Sequence, residues 1–174
     1  ELVGVPSNIT VGCGSVPAPA EVLMAGGCED SAVDPASLIL YYDFNAAGTS
    51  IPDLSGAGNT GTVVGATWSA AGHMGGAYSF DGNDYIRIGQ FAQVNGATGL
   101  SFGAWVKMAA PPTSPKGATV IGKLAVANES FGLVVNTSRE VGTNLKRASG
   151  EFVIVPAPGH TISSGEWHHV MGTY

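Results

Sequence analysis

Apolar and polar residues along this chain fall into short alternating blocks divided by turn chemistry. Thr62-Val63-Val64, Ala66-Thr67-Trp68, Ala77-Tyr78-Ser79-Phe80 and Tyr85-Ile86-Arg87-Ile88 are each rich in β-branched and aromatic residues. Side chains alternate between the two faces of a strand, so such blocks predict half-covered strands. Further blocks follow at residues 100–107, 118–123, 131–136, 151–155 and 167–174. Earlier, Leu38-Ile39-Leu40-Tyr41-Tyr42-Asp43-Phe44 is an apolar, β-prone run that ends at Asn45. The Asp81-Gly82-Asn83-Asp84 segment between two blocks predicts a tight turn joining them as a hairpin. In residues 100–107, Leu100, Phe102, Ala104 and Val106 share one face and Trp105 takes the other, so both faces call for partial cover. Roughly nine or ten such strands, with no segment of helical period, predict an all-β fold of antiparallel sheets packed as a sandwich.

Composition sharpens this picture. The chain has 174 residues, enough for one domain plus a short extension, and 44% of them are hydrophobic. Its 26 glycines and 10 prolines disfavour long helices and supply many turns. A net charge of −6 with only seven Lys and Arg excludes nucleic acid as a partner, because phosphate binding needs clustered cations. The one basic pair, Lys146-Arg147, reads as a solvated turn. No apolar run approaches the roughly 20 residues of a membrane span.

Residues 1–35 differ from the rest, with a short alternating stretch (Ile9, Val11) and a Pro/Ala-rich connector. The sequence P-S-N-I-T-V-G-C, then VPAPA, then C-E-D resembles the opening of Ig-like repeats of bacterial surface proteins. The expected organisation is therefore an extension or Ig-like stub over 1–35 and a sandwich over 36–174. Cys13 and Cys28 both lie in the extension. A disulfide between them would contribute about 3 kcal/mol; two free thiols are the alternative, and neither has zinc-ligand spacing.

Within residues 38–174, the order LILYYDFN, DLSGAGNTG, GGAYSFDGNDYIRI, LSFGAWVK, VIGK and GEWHHVMGTY resembles the laminin-G-like domains of the concanavalin-A-like lectin/glucanase family. The resemblance implies a jelly-roll sandwich whose sheets pack about 10 Å apart, with Phe80, Phe102, Trp105 and Trp167 supplying large apolar surfaces. Members continue past the Gly-Thr-Tyr strand with an Asp-Gly turn and closing strands, which are missing here after Tyr174. A longer parent chain is one expectation. A strand donated to the open sheet edge by a neighbouring subunit is another.

The resemblance also implies a structural or ligand-bridging Ca²⁺ in many members. Hard oxygen donors concentrate in two turns, with Asp53 and Asn59 in one and Asp81 and Asp84 in the other, as Ca²⁺ requires. The same Asx residues serve equally as turn organisers. Enzyme activity is not expected. Glycosidases need two carboxylates facing one sugar, and Asp43, Glu151 and Glu166 form no compact arrangement of that kind. His168 and His169 are adjacent, so on a strand they point to opposite faces and cannot share a metal or nucleophile. No nucleophile elbow or phosphate-cradling glycine loop is present.

The functional expectation is a secreted, non-catalytic recognition or adhesion module that binds a glycan or an extracellular protein. Trp68 and Tyr85 are its candidate ligand-binding aromatics, with Tyr41 and Tyr42 behind them. Sequons at Asn8, Asn128 and Asn136 fit secretion where glycosylation machinery exists. Two alternatives remain open. One is a structural subunit of an extracellular filament self-associating through its open edge, and the other is an accessory domain of a carbohydrate-active enzyme.

Overall fold

The computed structural model describes residues 37–89, 92–94, 97, 99–123, 131–146 and 152–173, with the backbone alone at 145–146 and 152–158. The expectations for the 1–35 extension, the Cys13–Cys28 pair, the Asn8 and Asn128 sequons, Arg147 and Glu151 lie outside the described residues. Among the described residues eleven strands run in chain order: β1 (Ser50–Ile51), β2 (Gly61–Val64), β3 (Thr67–Ser69), β4 (Ala77–Ser79), β5 (Tyr85–Ile88), β6 (Ser101–Lys107), β7 (Ala118–Lys123), β8 (Phe131–Val135), β9 (Glu140–Lys146), β10 (Phe152–Thr161) and β11 (Trp167–Thr173). No α-helix occurs among the described residues, and every ladder between these strands is antiparallel. The fold is an antiparallel β-sandwich.

One layer is the four-stranded sheet β10-β9-β8-β7, and the β11-β6 pair packs on it. Leu133 and Val135 of β8 bury against Ile162 and against Val170 of β11, with Phe102 and Val106 of β6 and Val141 of β9 closing around them. Leu133 is fully buried, and enclosing such a side chain contributes about 1.5–3 kcal/mol. β8 is buried at every position, which is why it reads as an unbroken apolar run, FGLVV, rather than an alternation. A register shift between Thr119 and Ile121 interrupts the β7–β8 ladder, and Val120 packs against this core. β6 alternates exposed and half-buried positions along its whole length, with Phe102, Ala104 and Val106 turned inward as their parity predicts.

Beside this core stands a long interrupted hairpin. β2 pairs with β5 and β3 pairs with β4, so its two arms are residues 61–69 and 77–88. β4 and β5 do not pair with each other, and this corrects the expected hairpin. The Asp81–Asp84 segment is not a chain reversal but the long side of a bulge within one arm. Opposite it, Gly65 takes φ +82°, and a Cβ there would run into the Asp84 carboxylate. Only glycine fits both demands.

Three further expectations differ from the structure. Residues 38–44 form no strand, because their backbone and side chains are satisfied by loop groups instead. Tyr41 N donates to Asp53 Oδ1 at 3.0 Å, Leu54 N donates to Tyr41 O at 2.9 Å, and Phe44 packs between Tyr42 and Tyr78. β9 has no counterpart among the expected strands, since Gly142 and Asn144 dilute its alternation of Val141, Thr143 and Leu145. Phe80 and Trp105, expected to fill the core, are instead 51% and 43% exposed.

Candidate functional site

Parity along β6 and β11 builds one surface. The positions that do not face the core are Ser101, Gly103, Trp105 and Lys107 on β6, and Trp167, His169, Met171 and Thr173 on β11. Their register sets His169 opposite Trp105 and Trp167 opposite Lys107. The rings of Trp105 and His169 lie 5.3 Å apart, and the Lys107 ammonium sits 5.2 Å from the Trp167 ring centre. A third element adds a further ring. His73, from the β3–β4 loop, stacks on Trp105 with centroids 3.6 Å apart and planes inclined by 20°. Met74 beside it and Met171 on β11 are 49% and 61% exposed.

The loop that delivers His73 is held from below. Gly72 N donates to Gly75 O at 2.8 Å, which closes a turn with His73 and Met74 at its tip. Gly75 has φ +75°, a conformation that favours glycine. Gly76 N donates to Asn45 Oδ1, and Asn45 is fixed in turn by its N–H and Nδ2 donating to the Asp43 carboxylate. Trp68 Nε1 donates to Phe44 O at 2.9 Å and packs under Gly76. The half-buried Trp68, a ligand candidate in the sequence, thus serves as a brace for the loop rather than as an open ring. Tyr85 does stand open at 46% exposure, with the Arg87 guanidinium 6.0 Å from its ring centre.

The family model described as the Concanavalin A-like lectin/glucanases superfamily matches residues 80–174, more than half of the chain. The chain belongs to that superfamily. No curated protein and no solved structure matches it. The matched residues carry Trp105, Lys107, Trp167 and His169, whereas His73 precedes them, so the platform joins superfamily strands to a loop from outside the match.

The oxygen-rich turns of this superfamily member are organised by N–H donors. Asp53 Oδ1 accepts from the amides of Tyr41 and Ser55, and Oδ2 accepts from Asn59 N at 2.8 Å. Burial pushes this carboxyl upward, but the Ser55 hydroxyl and the amides of Tyr41, Ser55 and Asn59 outweigh it and hold the pKa below the ordinary value. Asn59 is buried, its Nδ2 donating to Ile39 O at 2.7 Å, and its carbonyl accepts from the Tyr42 hydroxyl. Burial, reinforced by the Asp53 charge, pushes the Tyr42 hydroxyl up to about 12. With its oxygens so engaged, Asp53 serves as the organiser of its own loop. Asp81 and Asp84 meet each other through Asp81 N donating to Asp84 Oδ2 at 2.9 Å. Among the described residues no three His, Cys, Asp or Glu side chains converge on a common metal position.

His168 and His169 divide as their adjacency predicts. His168 turns inward, its Nε2 accepting from Ser163 N at 3.1 Å, while His169 is exposed. Ser163 Oγ lies 2.9 Å from the same Nε2 and is also bonded to Glu166. The hydroxyl stands between acid and imidazole, so the order differs from a relay in which the imidazole lies between nucleophile and acid. Asn136 Nδ2, the atom a glycan would occupy, donates to Glu140 at 2.8 Å and so belongs to the β8–β9 turn.

The platform is hard to see in the sequence because Trp105 and Trp167 read there as core-packing residues. The available signal was parity. Ser101, Gly103 and Lys107 share the face of Trp105, and an aromatic ring among such residues belongs to an outward face.

Proposed function

We propose that the chain is a non-catalytic extracellular recognition module that binds carbohydrate on the outer face of β6 and β11. The observation that carries this reading is the exposed Trp105 ring, held by His73 and bordered by His169, Trp167 and Lys107. Sugar rings offer C–H groups to an aromatic face and hydroxyls to polar neighbours, and a pre-organised ring binds with little loss of side-chain freedom. Superfamily membership supports carbohydrate or protein as the ligand class.

The non-catalytic part draws support from how the acids are used. Asp43 binds Asn45, Asp53 organises its own loop, Glu140 binds Asn136 and Glu166 binds Ser163. Each of these four is committed to a neighbour, a use different from the opposed pair that hydrolysis needs. Calcium enters this reading only at Asp81 and Asp84. A rise in melting temperature on adding Ca²⁺, reversed by EDTA and absent in Asp84→Ala, is its test.

A glycan array probed with the wild-type chain and with Trp105→Ala tests the main proposal. Retention of at least one glycan, weakened roughly tenfold by the substitution, is expected. No retained glycan, or retention indifferent to Trp105, would overturn it.

A second reading rests on a different observation. Among the described residues β11 ladders with β6 alone, so its other edge offers backbone donors and acceptors to a neighbouring chain. Self-association of that kind would appear as concentration-dependent assembly in sedimentation, and a monodisperse monomer would remove it.

A further inference from the structure

We infer that the platform selects sugars bearing a carboxylate, with Lys107 as the residue that reads the charge. This rests on the carbohydrate-recognition reading above and specifies its ligand class. Lys107 is exposed, and its ammonium lies over Trp167, two residues along β6 from Trp105. It meets no acidic partner among the described residues. The acids nearest in sequence to the platform strands are engaged elsewhere, Glu166 by Ser163 and Asp84 by Asp81. Two imidazoles, His73 and His169, share the surface and bring no negative charge to it.

The result is a cationic spot framed by aromatic rings in a chain whose net charge is −6. A neutral glycan gives Lys107 nothing but hydroxyls to meet. A uronic acid places a carboxylate on the rim of a pyranose ring, so ring stacking and a charge-assisted hydrogen bond can form together. Sulfated polymers fit less well. They bind through many cations at once and lose affinity steeply with salt, whereas a single ammonium supplies one contact and a shallow salt dependence. An anion beside Lys107 also keeps the cation–π contact with Trp167, because the ammonium has three donors and needs only one for the carboxylate.

The test uses paired probes: oligomers of glucuronate, galacturonate and mannuronate, each alongside its carboxyl-reduced neutral counterpart, with heparin as the sulfated arm. Titration calorimetry is run on the wild-type chain, Lys107→Met and Trp105→Ala, with near-ultraviolet circular dichroism confirming that each variant is folded. One uronate is expected to bind roughly tenfold more tightly than its reduced form. Lys107→Met should abolish that preference, so that acidic and neutral members bind alike, and Trp105→Ala should weaken both. Equal affinity for acidic and neutral members, or a preference that survives Lys107→Met, overturns the inference while leaving carbohydrate recognition intact. Heparin binding above every uronate, with a steep salt slope, also overturns it. Failure to bind any of the probes, together with an empty glycan array, overturns both.

Discussion

His73 lies nearly flat on Trp105, 3.6 Å between ring centres, although one residue comes from the β3–β4 loop and the other from β6 in a different sheet. The contact ties the β3–β4 loop to β6 and fixes the indole in one orientation. His73→Ala is expected to cost about 0.5–1.5 kcal/mol of stability. It should also shift tryptophan emission to the red as water reaches the uncovered ring face. Thermal unfolding and fluorescence on the same samples check both outcomes.

The Asp53 loop sets an acid limit on stability. Its carboxyl titrates below the ordinary value in the folded chain, so the fold binds fewer protons there than the unfolded chain does. The stabilisation is therefore complete above the unfolded value, near pH 4, and is lost as pH falls through the folded one. Asp53→Asn should lower stability at neutral pH by about 1–3 kcal/mol and flatten the acid limb of the curve. Denaturant melts between neutral pH and pH 2.5 would show it.

Tyr42 sets the opposite limit. Its hydroxyl is raised to about 12, so the fold favours the protonated form. That stabilisation is whole below about pH 10 and declines as pH rises toward 12. Tyr42→Phe should remove this alkaline dependence and leave the hydroxyl's bond to Asn59 O unmade. Absorbance at the phenolate band, followed together with unfolding, separates ionisation from melting.

Two packing predictions separate the sandwich core from the hairpin. Leu133→Ala should cost about 2–5 kcal/mol, because a fully buried side chain leaves a cavity between the layers. Gly65→Ala should cost more than about 1 kcal/mol, since its positive φ and the Asp84 carboxylate both oppose a Cβ. The double variant Gly65→Ala with Asp84→Ala relieves the collision but not the backbone strain. Partial recovery of stability is the expected result, measured by chemical denaturation.

Much of the sandwich could be read from alternation. Residues 62–64, 85–88, 118–123 and 167–173 fall on strands because β-branched and aromatic side chains share a face there. The tyrosine-rich run at 38–44 carries the same composition without a ladder, since Asp53 and neighbouring loop groups satisfy its backbone. β9 escaped because Gly142 and Asn144 sit on the face opposite Val141 and Thr143 and blur the period. At the site, the split of His168 and His169 follows from local parity alone. The meeting of His73 with Trp105 does not, because it depends on where an interrupted hairpin points its tip. The bracing role of Trp68 is illegible for a related reason. Its hydrogen bond to Phe44 O joins residues 24 apart in sequence, a distance at which composition is silent.

The hairpin's reach has a consequence for how the site could be dismantled. Its tip touches the outer face of β6 through Trp105 while its arms ladder with strands outside the layers around Leu133. A protease that nicks the chain beside Met74 would release His73 from Trp105 and leave those layers closed. Such a cleaved molecule should keep its melting transition and lose its grip on glycans. The module carries a severable handle, and stability and recognition can therefore fail separately.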